Sequence, residues 1–177
     1  MEKAKVLRHM MGYTVGFTLF GVLIPAGLIT FSKWAGSFID TGIFGPEVLR
    51  LTIAFLFLAI GLFFVFWSNA ALFIIGKGGP ADGFNVAISP RSEKLVTSGP
   101  YGYTRNPMVF GAYMYYFAVA LFMNSVACLA LLILFYGLTI PYLKLTEEKR
   151  LFKDFGNDFL YYKKQVSMII PFPNRKK

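Results

Sequence analysis

Three long stretches without a charged residue restrict what this chain can fold into more than any other feature. Residues 12–31, 51–75 and 106–143 contain no Asp, Glu, Lys or Arg. A helix needs about 20 apolar residues to cross the hydrocarbon core of a bilayer, so each of the first two stretches predicts one membrane span. Three such stretches cannot all be buried core helices in a chain of 177 residues. The sequence therefore predicts an integral membrane protein.

The third stretch predicts two spans. Its 38 residues are too many for one membrane helix. Near its middle, Asn124 and Ser125 favour a tight turn, so we expect a hairpin of two helices of about 18 residues each. The predicted fold is all-α and integral to the membrane, with about four transmembrane helices of which the last two form the hairpin. We expect one membrane-embedded domain over residues 1–177.

The positions of the basic residues predict the orientation in the membrane. With the N-terminus inside, the cytoplasmic segments are 1–11, 76–105 and 144–177, and they hold 16 of the 18 lysines and arginines. Cytoplasmic loops favour these residues, so both termini are expected in the cytoplasm, either at a prokaryotic plasma membrane or at the endoplasmic reticulum. Anionic membrane lipids are the expected partners of the net charge of +9, and no nucleic acid is expected.

The polar segment before the third stretch ends in the residues LVTSGPYGYTRNPM. Pro100 biases Gly99 away from the helical conformation. Asn106 is suited to cap the following helix and Pro107 to occupy its first turn. The free N–H groups of that helix start would then lie beside the Arg105 guanidinium, a combination that binds a carboxylate or phosphate well. The alternative is that Arg105 only reaches lipid headgroups.

A second polar segment, 142–172, follows the third stretch and predicts C-terminal amphipathic cytoplasmic helices. Gly156 predicts a break between two helices. Glu148 is the one carboxylate on the apolar face and needs a partner, for which Arg105 or a bound cation is a candidate. Glu147 lies about 100° around the helix, where solvent is the expected surrounding. The residues of the apolar face are Glu148, Leu151, Phe152, Phe155, Phe159 and Tyr162.

Together, the two polar segments resemble the isoprenylcysteine carboxyl methyltransferase family, whose relatives include phospholipid N-methyltransferases. The likeness covers about 76–171, and two long motifs at the right separation make it specific. Asn106 stands where the eukaryotic carboxyl methyltransferases have His and matches the Asn of bacterial relatives, whereas Val109 and Phe159 each replace a usual Tyr. The matching residues are Gly99, Pro100, Tyr101, Arg105, Asn106 and Pro107 in the first motif and Glu147, Glu148, Leu151, Phe155, Gly156, Tyr162 and Val166 in the second.

This resemblance implies a methyltransferase that uses S-adenosylmethionine, bound in the half 76–171, and a lipophilic acceptor that enters from the bilayer. It implies that Arg105 and the helix start bind the cofactor carboxylate, and that Glu147 or Glu148 binds its amine or orients Arg105. Arg105 and Glu148 are the expected catalytic residues, with Glu148 as the base where the acceptor must lose a proton. The acceptor is left open between a prenylcysteine carboxylate, a phospholipid amine and a thiol. The other implied cofactor-binding residues are Leu95, Val96, Gly99, Tyr101, Tyr103, Asn106 and Pro107.

Two other interpretations remain open on the residues alone. Membrane sterol reductases that use NADPH resemble the same half, and Arg91, Lys94 and Lys144 are available for a 2′-phosphate. A small non-enzymatic membrane protein is the second alternative, although an ion path usually carries ionisable residues within the spans. A metal site is not expected, because Cys128 and His9 are the only cysteine and histidine.

Overall fold

The structure is a computed structural model that describes residues 2–38, 42–43, 45–80, 82–83 and 86–172. Within these ranges the regular structure is helical, apart from a two-residue antiparallel pair formed by β1 (Asp82–Gly83) and β2 (Val86–Ala87), and residues 88–98 and 166–172 are irregular. An all-α architecture built on apolar helices of membrane-spanning length is therefore confirmed. The three helices that are long and apolar enough to cross a bilayer cover Lys3–Gly36, Glu47–Gly76 and Val126–Gln165.

The first long helix is interrupted by a π-helical stretch. It begins as α1 (Glu2–Gly16), continues through the π-helical residues Phe17–Leu23, and ends as α2 (Ile24–Gly36). The Tyr116 hydroxyl donates to the Phe20 carbonyl oxygen at 2.9 Å, within this stretch. Because a bilayer offers no water to irregular backbone, this hydroxyl stabilises a conformation that the apolar pattern alone does not reveal.

The second long helix packs closely against a shorter one. It consists of α3 (Glu47–Ala71) and a π-helical end, Leu72–Gly76, and its neighbour is α4 (Pro107–Phe122). A Cβ atom on Gly61 would lie 2.8 Å from the Gly111 carbonyl oxygen, and one on Gly111 would lie 2.7 Å from the Gly61 carbonyl oxygen. Only a hydrogen atom fits at either position, and small residues of this kind let membrane helices approach closely.

The predicted hairpin is confirmed. After α4, Asn124 adopts a left-handed conformation with φ of 51°, and α5 (Val126–Tyr142) follows. The Ser125 hydroxyl accepts a hydrogen bond from the Cys128 amide at 3.2 Å and caps α5. Cys128 itself is buried, and its thiol donates to the Leu28 carbonyl oxygen. The two polar residues therefore form the turn that their types predicted.

A buried arginine closes the C-terminal end of α4. Arg50 lies in the first turn of α3, and its Nη1 donates to the carbonyl oxygens of Leu121 (2.6 Å) and Phe122 (3.0 Å). These carbonyls belong to the last turn of α4, where intrahelical donors run out, and the Leu121 carbonyl also accepts from the Asn124 amide at 3.1 Å. Since the start of α3 contacts the end of α4, the two helices run antiparallel. The sequence placed Arg50 only in a connecting segment and gave no sign of this role.

The C-terminal part continues from α5 through the π-helical residues Leu143–Glu147 into α6 (Glu148–Gln165). Gly156 leaves the helical conformation, with φ of 54°, so the predicted break is confirmed. Phe159 and Tyr162 are buried, whereas Phe152 is 49% exposed. Leu151 and Phe155 pack against the buried cluster, so within the protein Phe152 lies at the exposed edge of the predicted apolar face.

Candidate functional site

Two distant parts of the sequence pair at the start of α4. The Arg105 amide donates to the Ser167 carbonyl oxygen at 2.9 Å. The Thr104 hydroxyl and the Asn106 side-chain amide both donate to the Met168 carbonyl oxygen, at 3.1 and 2.8 Å. The C-terminal segment (167–172) therefore holds the backbone on both sides of Arg105. Ser167 and Met168 were not predicted, because main-chain acceptors leave no signal in residue type.

Asn106 and Pro107 lie where the sequence placed them, but the asparagine side chain does not cap the helix. Asn106 is the N-cap residue of α4 and Pro107 occupies the first turn. The Asn106 carbonyl accepts from the Phe110 amide at 3.0 Å, whereas its side chain is engaged by Met168. No side chain from the described part of the chain caps the first turn of α4. Its N–H groups are therefore free to meet an anion.

Arg105 and Glu148 form a buried ion pair. Arg105 Nη1 lies 2.5 Å from Glu148 Oε1, and each side chain is 9% exposed. The other carboxylate oxygen, Oε2, lies 2.5 Å from Lys163 Nζ, and the Lys163 side chain is 44% exposed. The expectation that Arg105 is the partner of Glu148 is confirmed. Lys163 was missed, because on an exposed tail a lysine normally indicates only solubility.

The Arg105 guanidinium retains an unused donor. Its Nε is buried and has no hydrogen-bond partner among the residues that the structure describes. A buried donor left unpaired costs about 1–3 kcal/mol, and more when it is charged. Together with the uncapped start of α4, this nitrogen gives the site two kinds of donor suited to a carboxylate or phosphate oxygen.

Glu147 has a different partner and does not lie in open solvent. Its Oε2 lies 2.5 Å from Arg150 Nη2, and its side chain is 19% exposed. The expectation of a solvated Glu147 was therefore wrong, because an arginine three residues further along the helix folds over it. The adjacent acids Glu147 and Glu148 pair with different cations. Of these two acids, Glu148 is the one in the ion pair with Arg105.

Leu95 and Val96 run beside this cluster in an irregular segment. Leu95 packs against the buried cluster of Phe159, Tyr162 and Val166, and Val96 is 5% exposed. Across the described ranges, no hydrogen bond engages the main chain of either residue. Their peptide groups are therefore available to a ligand that presents donors and acceptors along one edge.

The aromatic residues of the first motif lie on different sides of the loop. Gly99, with φ of 62°, begins a 3₁₀ turn, Gly99–Gly102. Within it, Tyr101 is partly buried, its carbonyl accepts from the Tyr162 hydroxyl at 2.6 Å, and burial raises the pKa of the Tyr101 phenol. Tyr103 is 45% exposed, with its ring centroid 6.0 Å from that of Trp67. Tyr101 is thus the more enclosed of the two tyrosines proposed to contact a cofactor.

An apolar cavity of about 230 Å³ lies between α4, α5 and the C-terminal segment. One end is next to the polar site, because Ile169 directly follows Met168, the residue that holds Asn106. The Tyr113 hydroxyl is hydrogen bonded to that of Thr139 at 2.6 Å, so the tyrosine presents its ring to the cavity. The lining residues are Phe110, Tyr113, Met114, Phe117, Ile133, Tyr136, Ile169 and Ile170.

A buried arginine–glutamate pair at the start of the apolar helix α4, with an apolar pocket beside it, lies in a protein whose long helices can cross a membrane. The family model of phospholipid methyltransferases matches residues 49–158. This range is well over half of the chain, so the chain belongs to that family and is a membrane methyltransferase. The resemblance found in the two motifs is confirmed. No curated protein and no solved structure gives a significant match.

Proposed function

We propose that this protein transfers a methyl group from S-adenosylmethionine to a lipid acceptor that enters from the bilayer. The observation that carries the proposal is the Arg105–Glu148 pair, which buries an unused arginine donor and a carboxylate in one site. S-adenosylmethionine, when bound, supplies a methyl group on a sulfonium for direct displacement by the acceptor. Family membership supports methyl transfer as the reaction.

The charges of the site fit the amino-acid part of this cofactor. Its carboxylate calls for donors, which Arg105 Nε and the free N–H groups of α4 provide. Its ammonium calls for an anion, which Glu148 provides. Glu147 is assigned no contact, because Arg150 engages it. Arg105 and Glu148 are therefore the residues proposed to hold the two opposite charges of one ligand.

The remaining predicted contacts are assigned to the nucleoside and the sulfonium. The unengaged peptide groups of Leu95 and Val96 are proposed to bind the adenine edge. The rings of Tyr101 and Tyr103 are proposed to stack on adenine or to face the sulfonium, a cation–π contact worth about 0.5–2 kcal/mol. Gly99, Asn106 and Pro107 shape the loop and the helix start around them.

The apolar cavity is proposed to receive the hydrocarbon chain of the acceptor. A hydrocarbon chain bound between α4 and α5 would place the polar head of the acceptor at the start of α4, near Asn106 and Glu148. The family name favours a phospholipid amine over a prenylcysteine carboxylate or a thiol. An amine is protonated at neutral pH and must lose a proton first; with Oε1 on Arg105 and Oε2 assigned to the cofactor ammonium, Glu148 is proposed to bind the cofactor and not to act as that base. The main requirement is then to hold the amine about 3–3.5 Å from the methyl carbon.

We further propose that α4 and α5 both cross the bilayer, which gives four spans with both termini in the cytoplasm. The 16 residues of α4 extend about 24 Å at 1.5 Å per residue, slightly less than the hydrocarbon thickness. Buried glycine contacts and the Arg50 cap hold this short helix against α3. The basic and half-exposed face of α6 would then lie among the headgroups of the cytoplasmic leaflet.

Calorimetric binding of S-adenosylhomocysteine to the detergent-purified protein tests this proposal. We expect the wild-type protein to bind, and Glu148→Gln to weaken binding by at least about tenfold, since a charge-assisted contact is worth roughly 1.5–3 kcal/mol. Glu147→Gln is the matched control and should bind like the wild type. Binding of NADPH without S-adenosylhomocysteine would overturn the cofactor assignment, and equal loss in both variants would overturn the site.

A further inference from the structure

Glu148 is shared between two cations that differ in how firmly they are held. Arg105 contacts Oε1, its side chain is 9% exposed, and its own amide is bonded to Ser167. Lys163 contacts Oε2 from α6, and its side chain is 44% exposed. Lys163 also lies outside residues 49–158, the range matched by the family model. One cation is therefore fixed in the protein interior, and the other reaches it from the surface.

We propose that Lys163 is an exchangeable counter-ion, which occupies Glu148 Oε2 in the empty enzyme and leaves it when the ammonium of the cofactor arrives. This inference rests on the proposed function, because it assigns to Glu148 the cofactor amine. It adds a residue that neither the motifs nor the family match includes. In the empty site the Lys163 ammonium has the same chemistry as the group that replaces it.

Exchange of one ammonium for another fits the energetics of a buried carboxylate. A carboxylate with little exposure is costly without a partner, and Glu148 is 7% exposed. In the exchange this group keeps one contact to Arg105 and one to an ammonium throughout, so no uncompensated charge is buried. Lys163 can release its contact by side-chain rotation alone, because the neighbouring Tyr162 is buried and anchored to the Tyr101 carbonyl.

The exchange has a measurable cost in affinity. Lys163 competes with the cofactor ammonium for Oε2, so removing its charge should tighten binding. An ion pair with one half-exposed partner is worth up to about 1 kcal/mol. We therefore expect Lys163→Met to bind S-adenosylhomocysteine about two- to fivefold more tightly than the wild type. This is opposite in sign to the loss expected if Lys163 were itself a cofactor contact or a structural support.

Calorimetry on four proteins and two ligands tests the competition. Lys164→Met removes the same charge from the adjacent exposed residue and should leave affinity unchanged. The second ligand is 5′-methylthioadenosine, which lacks the amino-acid group, and its affinity should be the same in wild type and Lys163→Met. Unchanged or weaker S-adenosylhomocysteine binding by Lys163→Met overturns the inference, as does equal tightening of both ligands. The fourth protein, Glu148→Gln, separates the two proposals, since its loss of binding tests the proposed function alone.

A labelling experiment on the unaltered protein gives a second readout. The acetylation rates of Lys163 and Lys164 by an N-hydroxysuccinimide ester are compared by mass spectrometry, with and without S-adenosylhomocysteine. Release from Glu148 should raise the Lys163 rate relative to that of Lys164. A ratio that stays constant or falls would overturn the exchange. If the wild type binds no S-adenosylhomocysteine, the proposed function fails and this inference fails with it.

Discussion

Arg105 and Glu148 are 43 residues apart in the sequence, yet they share a 2.5 Å hydrogen bond in which both side chains are almost fully buried. One belongs to the loop before α4 and the other begins α6. The bond therefore joins the two polar motifs into one site. The first motif supplies the positive charge of this site and the second supplies the negative charge. Because both side chains are so little exposed, neither the Arg105 guanidinium nor the Glu148 carboxylate would be stable without a charged partner.

The first prediction concerns the coupling of this pair in ligand binding. Arg105→Met and Glu148→Gln should each weaken S-adenosylhomocysteine binding by about ten- to a hundredfold, which corresponds to roughly 1.4–3 kcal/mol. Because the two residues act on one ligand, the double variant should lose little more than the worse single variant, with a coupling energy above about 1 kcal/mol. Calorimetry measures all three variants, and strictly additive losses would contradict a shared site.

The second prediction tests the apolar cavity as the acceptor compartment. Ile133 and Leu138 are both exposed on α5, but only Ile133 lines the cavity. Ile133→Trp should fill part of the cavity and lower methyl incorporation into phosphatidylethanolamine vesicles by about tenfold, while S-adenosylhomocysteine affinity stays unchanged. Leu138→Trp is the matched control. Incorporation of radiolabelled methyl groups provides the measurement, and equal activity in the two variants would exclude this cavity.

The sequence predicted the parts of the fold that depend on residue type. Uncharged stretches predicted the apolar helices, Asn124 and Ser125 predicted the hairpin turn, and Gly156 predicted the break in α6. The partner of Glu148 was also predictable, because a carboxylate on an apolar helix face must find a cation. Each of these follows from a local rule with a clear physical cause.

Features that depend on backbone atoms were not predictable. The π-helical stretches in the described part of the chain have no signature in side-chain pattern. The pairing of Arg105 with Ser167 uses only main-chain groups, and Asn106 was expected to cap α4 but bonds to Met168 instead. Glu147 was expected in solvent because its pairing with Arg150 depends on side-chain conformation. Tertiary contacts decided the bonding of Arg105 and Asn106, whereas a residue of the same helix decided that of Glu147.

The third prediction follows from the buried phenol of Tyr101. Burial raises its pKa in the folded state above the unfolded value of about 10. A group with a raised folded pKa contributes stability below the unfolded pKa, and this contribution is lost as the pH rises further. Thermal unfolding temperatures of the wild type should therefore fall above about pH 10, and Tyr101→Phe should fall less steeply. Tyr103→Phe, which changes a half-exposed ring, is the control; identical curves for Tyr101→Phe and wild type would contradict the prediction.

The fourth prediction compares two glycines in apolar helices. A Cβ on Gly61 would lie 2.7 Å from the Tyr115 amide nitrogen, whereas one on Gly137 meets nothing within 4 Å. Gly61→Ala should destabilise the protein by about 1–3 kcal/mol, because α3 and α4 must move apart. Gly137→Ala should stabilise it by up to about 1 kcal/mol through helix propensity. Denaturation in detergent measures both, and a shift of the same sign in the two variants would contradict the close packing.

The fifth prediction concerns Arg50, the buried residue that closes α4. Its guanidinium bonds to the carbonyl oxygens of Leu121 and Phe122, so Arg50→Met removes a buried, charged donor from both. We expect a loss of roughly 2–3 kcal/mol in the free energy of unfolding. Lys33→Met is the control, since it removes a positive charge from an exposed residue at the end of α2.

Binding of S-adenosylhomocysteine by folded Arg50→Met should stay normal, because the ion pair with Glu148 is at the other end of α4. Loss of binding without loss of stability would instead place Arg50 in the functional site.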